Sequence, residues 1–286
     1  MFFVVSTGRS GTATVAEMLS SVPGYVCLHE PDPALILESS GYRYGDITAD
    51  EIAAVLQQTR HSRLDGRIYC ESNQTLSLII PVLAETFPQA RYIWLLRNGL
   101  DVVASAVQKQ WYSGFSENHN RYEDCTPLEK AWIDGRVRGD RTVDMSGVEW
   151  DRLDRFGKCC WYWRYINRLI GCDLNELNVD SYYLLRLETL VQQMPSLLAW
   201  MGVETSDGLI AVQQNIAKRR PYHWSRWNQD ERQVFESWCG DLMDDYYPEW
   251  RNVDGNWQGV AYQSPPVRNQ LSYLLAGIRS FIRNYL

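Results

Sequence analysis

Six residues constrain this chain most: Thr7-Gly8-Arg9-Ser10-Gly11-Thr12. They stand between the apolar run Phe2 to Ser6 and a helical pattern from Ala13 to Ser21, which sets Val15, Met18 and Leu19 on one face. A strand, a glycine loop and a helix in that order aim backbone N–H groups and the positive end of a helix at one point. That is a site for an anion. Gly8 and Gly11 allow positive φ and close backbone approach. The loop is not the GxxxxGK[ST] loop of nucleotide kinases, because no Lys follows Gly11 and the basic residue, Arg9, precedes the second glycine. A plain strand-to-helix turn would use the glycines for geometry alone; Arg9 between them adds a charge suited to a phosphate.

The same alternation runs down the chain. Strands are expected at Tyr25 to Leu28, Arg67 to Cys70, Arg91 to Leu96 and Tyr182 to Leu187. Helices are expected at Ala49 to Arg60, Leu76 to Phe87, Leu100 to Trp111, Arg155 to Ile170, Glu188 to Met201 and Asp230 to Asp244. Pro81 either kinks the second of these helices or sits in its first turn. This order predicts an α/β fold of three layers, a mostly parallel sheet with helices on both faces. Ligands of such sheets bind at the carboxyl ends of the strands. Gly8 to Thr12, His29-Glu30, Glu71 to Asn73 and Arg97 all fall there. The polar stretch 113–154 reads as an excursion over the core and a candidate substrate lid. We expect a single domain over 1–254, a linker at 255–266 and an amphipathic helix at 267–286.

Composition narrows the classes. With 286 residues, 45% of them hydrophobic and 22% charged, the chain is an ordinary globular protein, not a disordered, collagen-like or coiled-coil one. A net charge of −7 argues against a nucleic-acid partner. Only four of the 28 basic residues are Lys, a bias toward the bidentate anion contacts that Arg makes. Seven Cys without a CxxC pair point to reduced thiols in a reducing compartment. Four His without an HExxH motif do not suggest a metal. No apolar run reaches membrane-spanning length and no leader pattern opens the chain, so the expectation is a cytoplasmic protein without a transmembrane segment.

A second constellation, Arg97-Asn98-Gly99-Leu100-Asp101 through Ser105, also joins a strand to a helix. A guanidinium at the strand tip and a hydroxyl two turns along can hold one phosphate group; taken alone, they suit a helix cap and a surface residue equally. Together the two elements resemble the sulfotransferases that use 3′-phosphoadenosine 5′-phosphosulfate (PAPS). In that family a basic residue followed by Ser-Gly-Thr-Thr grips the 5′-phosphosulfate, and a later Arg, Pro, Asp and Ser element grips the 3′-phosphate. Phe87 to Ile93, Leu185 to Leu190 and Lys218-Arg219-Arg220 resemble further family segments. The resemblance implies donor contacts at Gly8, Arg9, Ser10, Gly11, Thr12, Ala13, Arg97, Ser105, Arg219 and Arg220, with no metal. Three positions depart from the pattern: Ala13 stands for the second Thr, Gly99 for the common Pro, and Leu187 for the Tyr that often touches adenine.

The implied reaction is transfer of the sulfuryl group to a hydroxyl or amine of an acceptor. A buried carboxylate can serve as its base. Glu30 is the first candidate, since carbohydrate- and protein-modifying members carry a catalytic Glu in a similar place. His29 and then Glu71 follow, with Glu71 equally readable as the partner of an Arg. Arg9 would neutralise the leaving phosphate. Trp161 and Trp163 read as core, Trp224 and Trp227 as candidate walls of a cleft for a carbohydrate, lipidic or other small-molecule acceptor. The tail stripe of Leu271, Leu274, Leu275, Ile278, Phe281, Ile282 and Tyr285, with Arg268, Arg279 and Arg283 largely off it, suits docking on the domain, a peripheral membrane contact or a partner. Two other functions compete: an ATP-dependent P-loop phosphotransferase, and a non-catalytic nucleotide-binding protein of the same fold.

Overall fold

The structure is a computed structural model that describes residues 1–203 and 223–252. Five strands run parallel: β1 (Phe2–Ser6), β2 (Tyr25–His29), β4 (Arg67–Ser72), β5 (Arg91–Leu96) and β6 (Tyr182–Arg186), in the order β2-β4-β1-β5-β6. The two-residue β3 (Arg63–Leu64) pairs antiparallel with β4. Asp65 and Gly66 (φ 50° and 76°) make the tight turn between them, a left-handed pair suited to a two-residue hairpin. The fold is thus α/β, as the alternation required.

The chain forms two compact units. The first holds Met1–Ser39, Asp50–Arg97 and, within the described residues, 166–203, and it contains the whole sheet. β1 is buried at every position, and the pleat divides its side chains between two faces. On one face Phe2 and Val4 join Cys27, Cys70, Ile93, Leu95 and Leu185 under Val15, Met18 and Leu19 of α1 (Thr12–Ser20) and Met194, Leu197 and Leu198 of α9 (Leu190–Met201). On the other, Phe3 packs on Phe87, and Trp94 meets Asn167 and Gly171 of α8 (Arg155–Asn175). Layers on both faces explain why these strands read as continuous apolar runs.

Beyond Val4 and Ser72, β1 and β4 no longer pair, while β1 stays paired with β5 to Ser6. The backbone groups that this parting exposes are met by a side chain. Ser6 donates its N–H to Ser77 Oγ at 2.8 Å, and that hydroxyl donates back to Ser6 O at 2.8 Å. The expected helix over Leu76 to Phe87 is in fact two pieces, a 3₁₀ turn at Gln74–Leu78 and helix α4 (Ile80–Thr86). Pro81 lies in the first turn of α4, where its missing N–H costs nothing.

The second unit holds Ser40–Ala49, Asn98–Tyr165 and, within the described residues, 223–252. Its core is aromatic. Trp161 stacks on Tyr165 at 4.8 Å and meets Trp150 edge-on at 5.1 Å, and Trp227 lies between Phe156 and Phe235. Trp161 and Trp163 are fully buried, as expected, but Trp227 is buried too and lines no open wall. The stretch 113–154 carries α6 (Pro127–Asp134) and α7 (Gly147–Arg152), each opened by a capping box, and it contributes Trp150 to this core.

Four elements differ from the expected set: β3, the helix α2 (Ile36–Tyr44), and α6 and α7 within the stretch 113–154. Among the described residues no helix is long and apolar enough to cross a membrane, and no group of three or more His, Cys, Asp or Glu is placed to hold a metal ion. The linker, the amphipathic tail and Lys218-Arg219-Arg220 lie outside the described residues.

Candidate functional site

The site of the first unit gathers at the carboxyl ends of β1, β2 and β4. The loop after β1 has two left-handed residues, Arg9 (φ 69°) and Gly11 (φ 87°). Gly8 is not one of them, so the freedom expected there is used at Arg9 instead, at a cost of about 1–2 kcal/mol for an L-residue. Gly11 is the N-cap of α1. It supplies no side-chain cap, and no acidic residue stands in the first turn. The first amides of α1 therefore keep their pull on an anion. A Cβ on Gly11 would stand 2.8 Å from Leu187 Cδ1. Leu187 thus packs directly on the loop after β1.

Hydroxyls shape the loop. Thr7 Oγ1 and Ser10 Oγ share a hydrogen bond of 2.6 Å, both residues being buried. Ser72 Oγ donates to Thr12 O at 2.9 Å, tying the start of α1 to β4. Thr12 Oγ1 lies 3.0 Å from His29 Nε2. Ala13 is exposed at the second position of α1. Arg97, at the tip of β5, donates from Nη1 to Arg9 O at 2.7 Å, so it braces the loop that it was expected to complement.

Glu30 follows β2 and has φ 46°, an unusual conformation for a glutamate. Its N–H donates to Ser72 O at 3.1 Å, and its Oε1 accepts from Gln74 Nε2 at 3.3 Å. His29 Nε2 lies 3.9 Å from Glu30 Oε1. Burial pushes the Glu30 carboxyl above the usual glutamate range, and His29, the Gln74 hydrogen bond and the Arg9 charge each pull against it without cancelling it. A half-buried carboxylate with a raised pKa, beside a cation and an uncapped helix N-terminus, has the chemistry of a base next to an anion site.

Glu71 is built differently. It is fully buried on β4 and accepts from Arg60 Nε at 2.8 Å, Arg60 Nη2 at 3.1 Å, Tyr69 Oη at 2.8 Å and Asn73 Nδ2 at 3.2 Å. Of the two readings open for Glu71, this is the geometry of an arginine's partner. The Asp32–Pro33 bond in the loop after Glu30 is cis.

In the second unit Asn98 caps α5 (Gly99–Gln108), its side chain accepting from Leu100 N at 2.9 Å, and Ser105 lies half-buried on the same helix. Gly99, where the family commonly has Pro, is pressed by Trp163. A Cβ there would lie 3.1 Å from the indole and 3.2 Å from Phe235 Cζ. Arg219 and Arg220 lie outside the described residues. Gln74 and Arg60 carry no site signal in the sequence. Neither belongs to a local motif, since each acts across the sheet edge on residues far away in sequence.

Residues 2–141 match the model of the sulfotransferase family. No curated protein matches the chain. Among solved structures, a sulfotransferase from Alicyclobacillus acidocaldarius is 14% identical with a TM-score of 0.46, covering 90% of this chain and 94% of its own. The sulfotransferase domain of the Synechococcus PCC 7002 olefin synthase is 15% identical with a TM-score of 0.43, covering 100% and 94%. A mouse sulfotransferase complexed with PAP is 15% identical with a TM-score of 0.45, covering 86% and 85%.

Proposed function

We propose, for a chain whose residues 2–141 match the model of the sulfotransferase family, that it transfers the sulfuryl group of PAPS to a hydroxyl or amine of an acceptor by in-line displacement. The observation that carries the reading is the pairing, within one unit, of the uncapped α1 N-terminus with a Glu30 carboxyl raised by burial. The loop amides of Gly8 to Ala13, with Arg9, suit the 5′-phosphosulfate, and Arg97 and Ser105 suit the 3′-phosphate; Arg219 and Arg220 complete the donor set.

Glu30 takes the proton of the attacking group as the new bond to sulfur forms. The bond from sulfur to the bridging oxygen breaks, and its electron pair stays on the phosphate of 3′-phosphoadenosine 5′-phosphate (PAP). Arg9 and the loop amides stabilise that charge. His29 is the second candidate base, its Nε2 engaged by Thr12. The acceptor is a small molecule, a carbohydrate or a lipidic alcohol, and the setting is cytoplasmic.

Calorimetry with PAP and AMP tests the donor. PAP should bind at least about tenfold more tightly, the worth of one charge-assisted contact. Equal affinities would remove PAPS from the reading. Glu30→Gln should keep PAP affinity and lose about 10²–10⁴ of turnover in a radiolabelled PAPS assay over a mixed acceptor panel.

A further inference from the structure

Glu30 keeps a left-handed backbone, and the chain immediately after it is held by an unusual set of bonds. Arg60, the residue following α3 (Ala49–Thr59), is 2% exposed. Its Nη2 donates to Pro33 O at 2.8 Å and to Pro31 O at 3.3 Å, while Nε and Nη2 hold both oxygens of Glu71. The next carbonyl, Ala34 O, accepts from Thr75 Oγ1 at 2.8 Å and Asn73 Nδ2 at 3.2 Å. Asn73 Nδ2 also donates to Glu71, and Asn73 Oδ1 accepts from Thr75 N and Thr75 Oγ1. The carbonyls of Pro31, Pro33 and Ala34 thus lead, through Arg60, Asn73 and Thr75, to one buried carboxylate.

We propose that the Arg60–Glu71 pair, with Asn73 and Thr75, is a positioning device that clamps the carbonyls of Pro31, Pro33 and Ala34 and so holds Glu30 beside the loop after β1. The inference rests on the reading of Glu30 as the base. Stability alone does not account for such a pair, because a buried ion pair seldom repays its desolvation against an apolar replacement. What it supplies is direction. Arg60 spends its donors on two carbonyls of one loop as well as on the carboxylate, and a lysine ammonium cannot reproduce that planar fork. β4 also places the anchor beside its target: Leu28 is paired with Glu71, His29 with Ser72, and Glu30 N bonds to Ser72 O. A left-handed glutamate keeps its place only where its surroundings over-determine it.

The test is made on the full chain with Arg60→Lys, read first without any acceptor. Amide exchange across residues 30–35 should rise by about tenfold or more, while the exchange of β1 and β5 stays put. The Glu30 carboxyl, followed by ¹³C NMR and assigned with Glu30→Gln, should titrate closer to an ordinary glutamate once its loop lets it reach water. The charges facing it, His29 and Arg9, are untouched by the change. PAP affinity should stay within about twofold, and turnover of radiolabelled PAPS should fall by about a hundredfold with the donor KM unchanged. If Arg60→Lys does not fold, Thr75→Val decides, since it leaves the ion pair whole and removes only the Thr75 hydroxyl that Ala34 O and Asn73 Oδ1 share. Wild-type exchange and titration in the deciding variant would overturn the proposal. Failure of the wild-type protein to bind PAP would instead overturn the reading of function, and the exchange and titration results would still judge the clamp.

Discussion

Gly11→Ala separates two costs at the phosphate loop. The first is conformational. At φ 87° an alanine pays about 1–2 kcal/mol that glycine does not. The second is steric, because the new Cβ would stand 2.8 and 3.0 Å from the two methyls of Leu187. Those methyls are the far end of a half-buried side chain that can yield, so the crowding adds about 1–2 kcal/mol, the lower part of the range for overpacking. The sum is about 2–4 kcal/mol, read as a shift of the urea midpoint at constant slope. A double-mutant cycle apportions it. In a Leu187→Ala background the wall is gone, and Gly11→Ala should cost only the conformational share of about 1–2 kcal/mol. PAP affinity should fall in both backgrounds if the displaced amides form the proposed anion site. An unchanged midpoint for Gly11→Ala, or an identical cost in the two backgrounds, would refute the account.

Other outcomes follow from the same geometry. Because burial raises the Glu30 carboxyl, its protonated form fits the fold better, so the stability it lends is present at low pH and lost as pH rises through the folded-state value. Glu30→Gln should therefore melt higher than wild type at neutral pH, the gap closing on acidification, and thermal melts from pH 4 to 8 check it. The acid limb of the wild-type kcat/KM profile should lie above the ordinary glutamate value. Gly99→Ala should destabilise by about 1–3 kcal/mol in chemical denaturation, despite alanine's better helix propensity, because Trp163 and Phe235 are fully buried and cannot retreat. Arg97→Ala should speed amide exchange at residues 8–11 before any nucleotide is added, because Arg9 O loses its donor.

The sheet was legible because its strands are buried on both faces and announce themselves as apolar runs; β5 was placed to the residue. The loop between β1 and α1 was legible because its glycines and Arg9 stand between a strand and a helix in local sequence. What escaped notice is non-local or locally ambiguous. α2 carries Ser39-Ser40-Gly41 in its middle, a polar run that reads as a loop, and Gly41 is in fact crowded by Ile47. The hairpin to β3 had a signal in Asp65-Gly66, but its strand is two residues long. Glu71 could be singled out, whereas its partner Arg60 lies 11 residues earlier in a stretch that looks like any helix end. Of the two loop glycines suited to positive φ, Gly11 takes it, while the other left-handed residue is Arg9 rather than Gly8.

The short turn after β4 has a consequence for how sequences of this kind can drift. Three consecutive commitments are made within four residues: Gln74 reaches Glu30, Thr75 reaches Ala34, and Ser77 meets both backbone groups of Ser6. Single residues there can be exchanged one at a time, each with only its own bonds at stake. A one-residue insertion or deletion has no such graded effect, since it rotates every later side chain of a 3₁₀ turn by about 120° and unseats the commitments together. The turn therefore constrains chain length more tightly than it constrains any single residue. Insertions that would pass unnoticed elsewhere on the surface should be purged between residues 73 and 78, and a library of single-residue insertions should show a gap there.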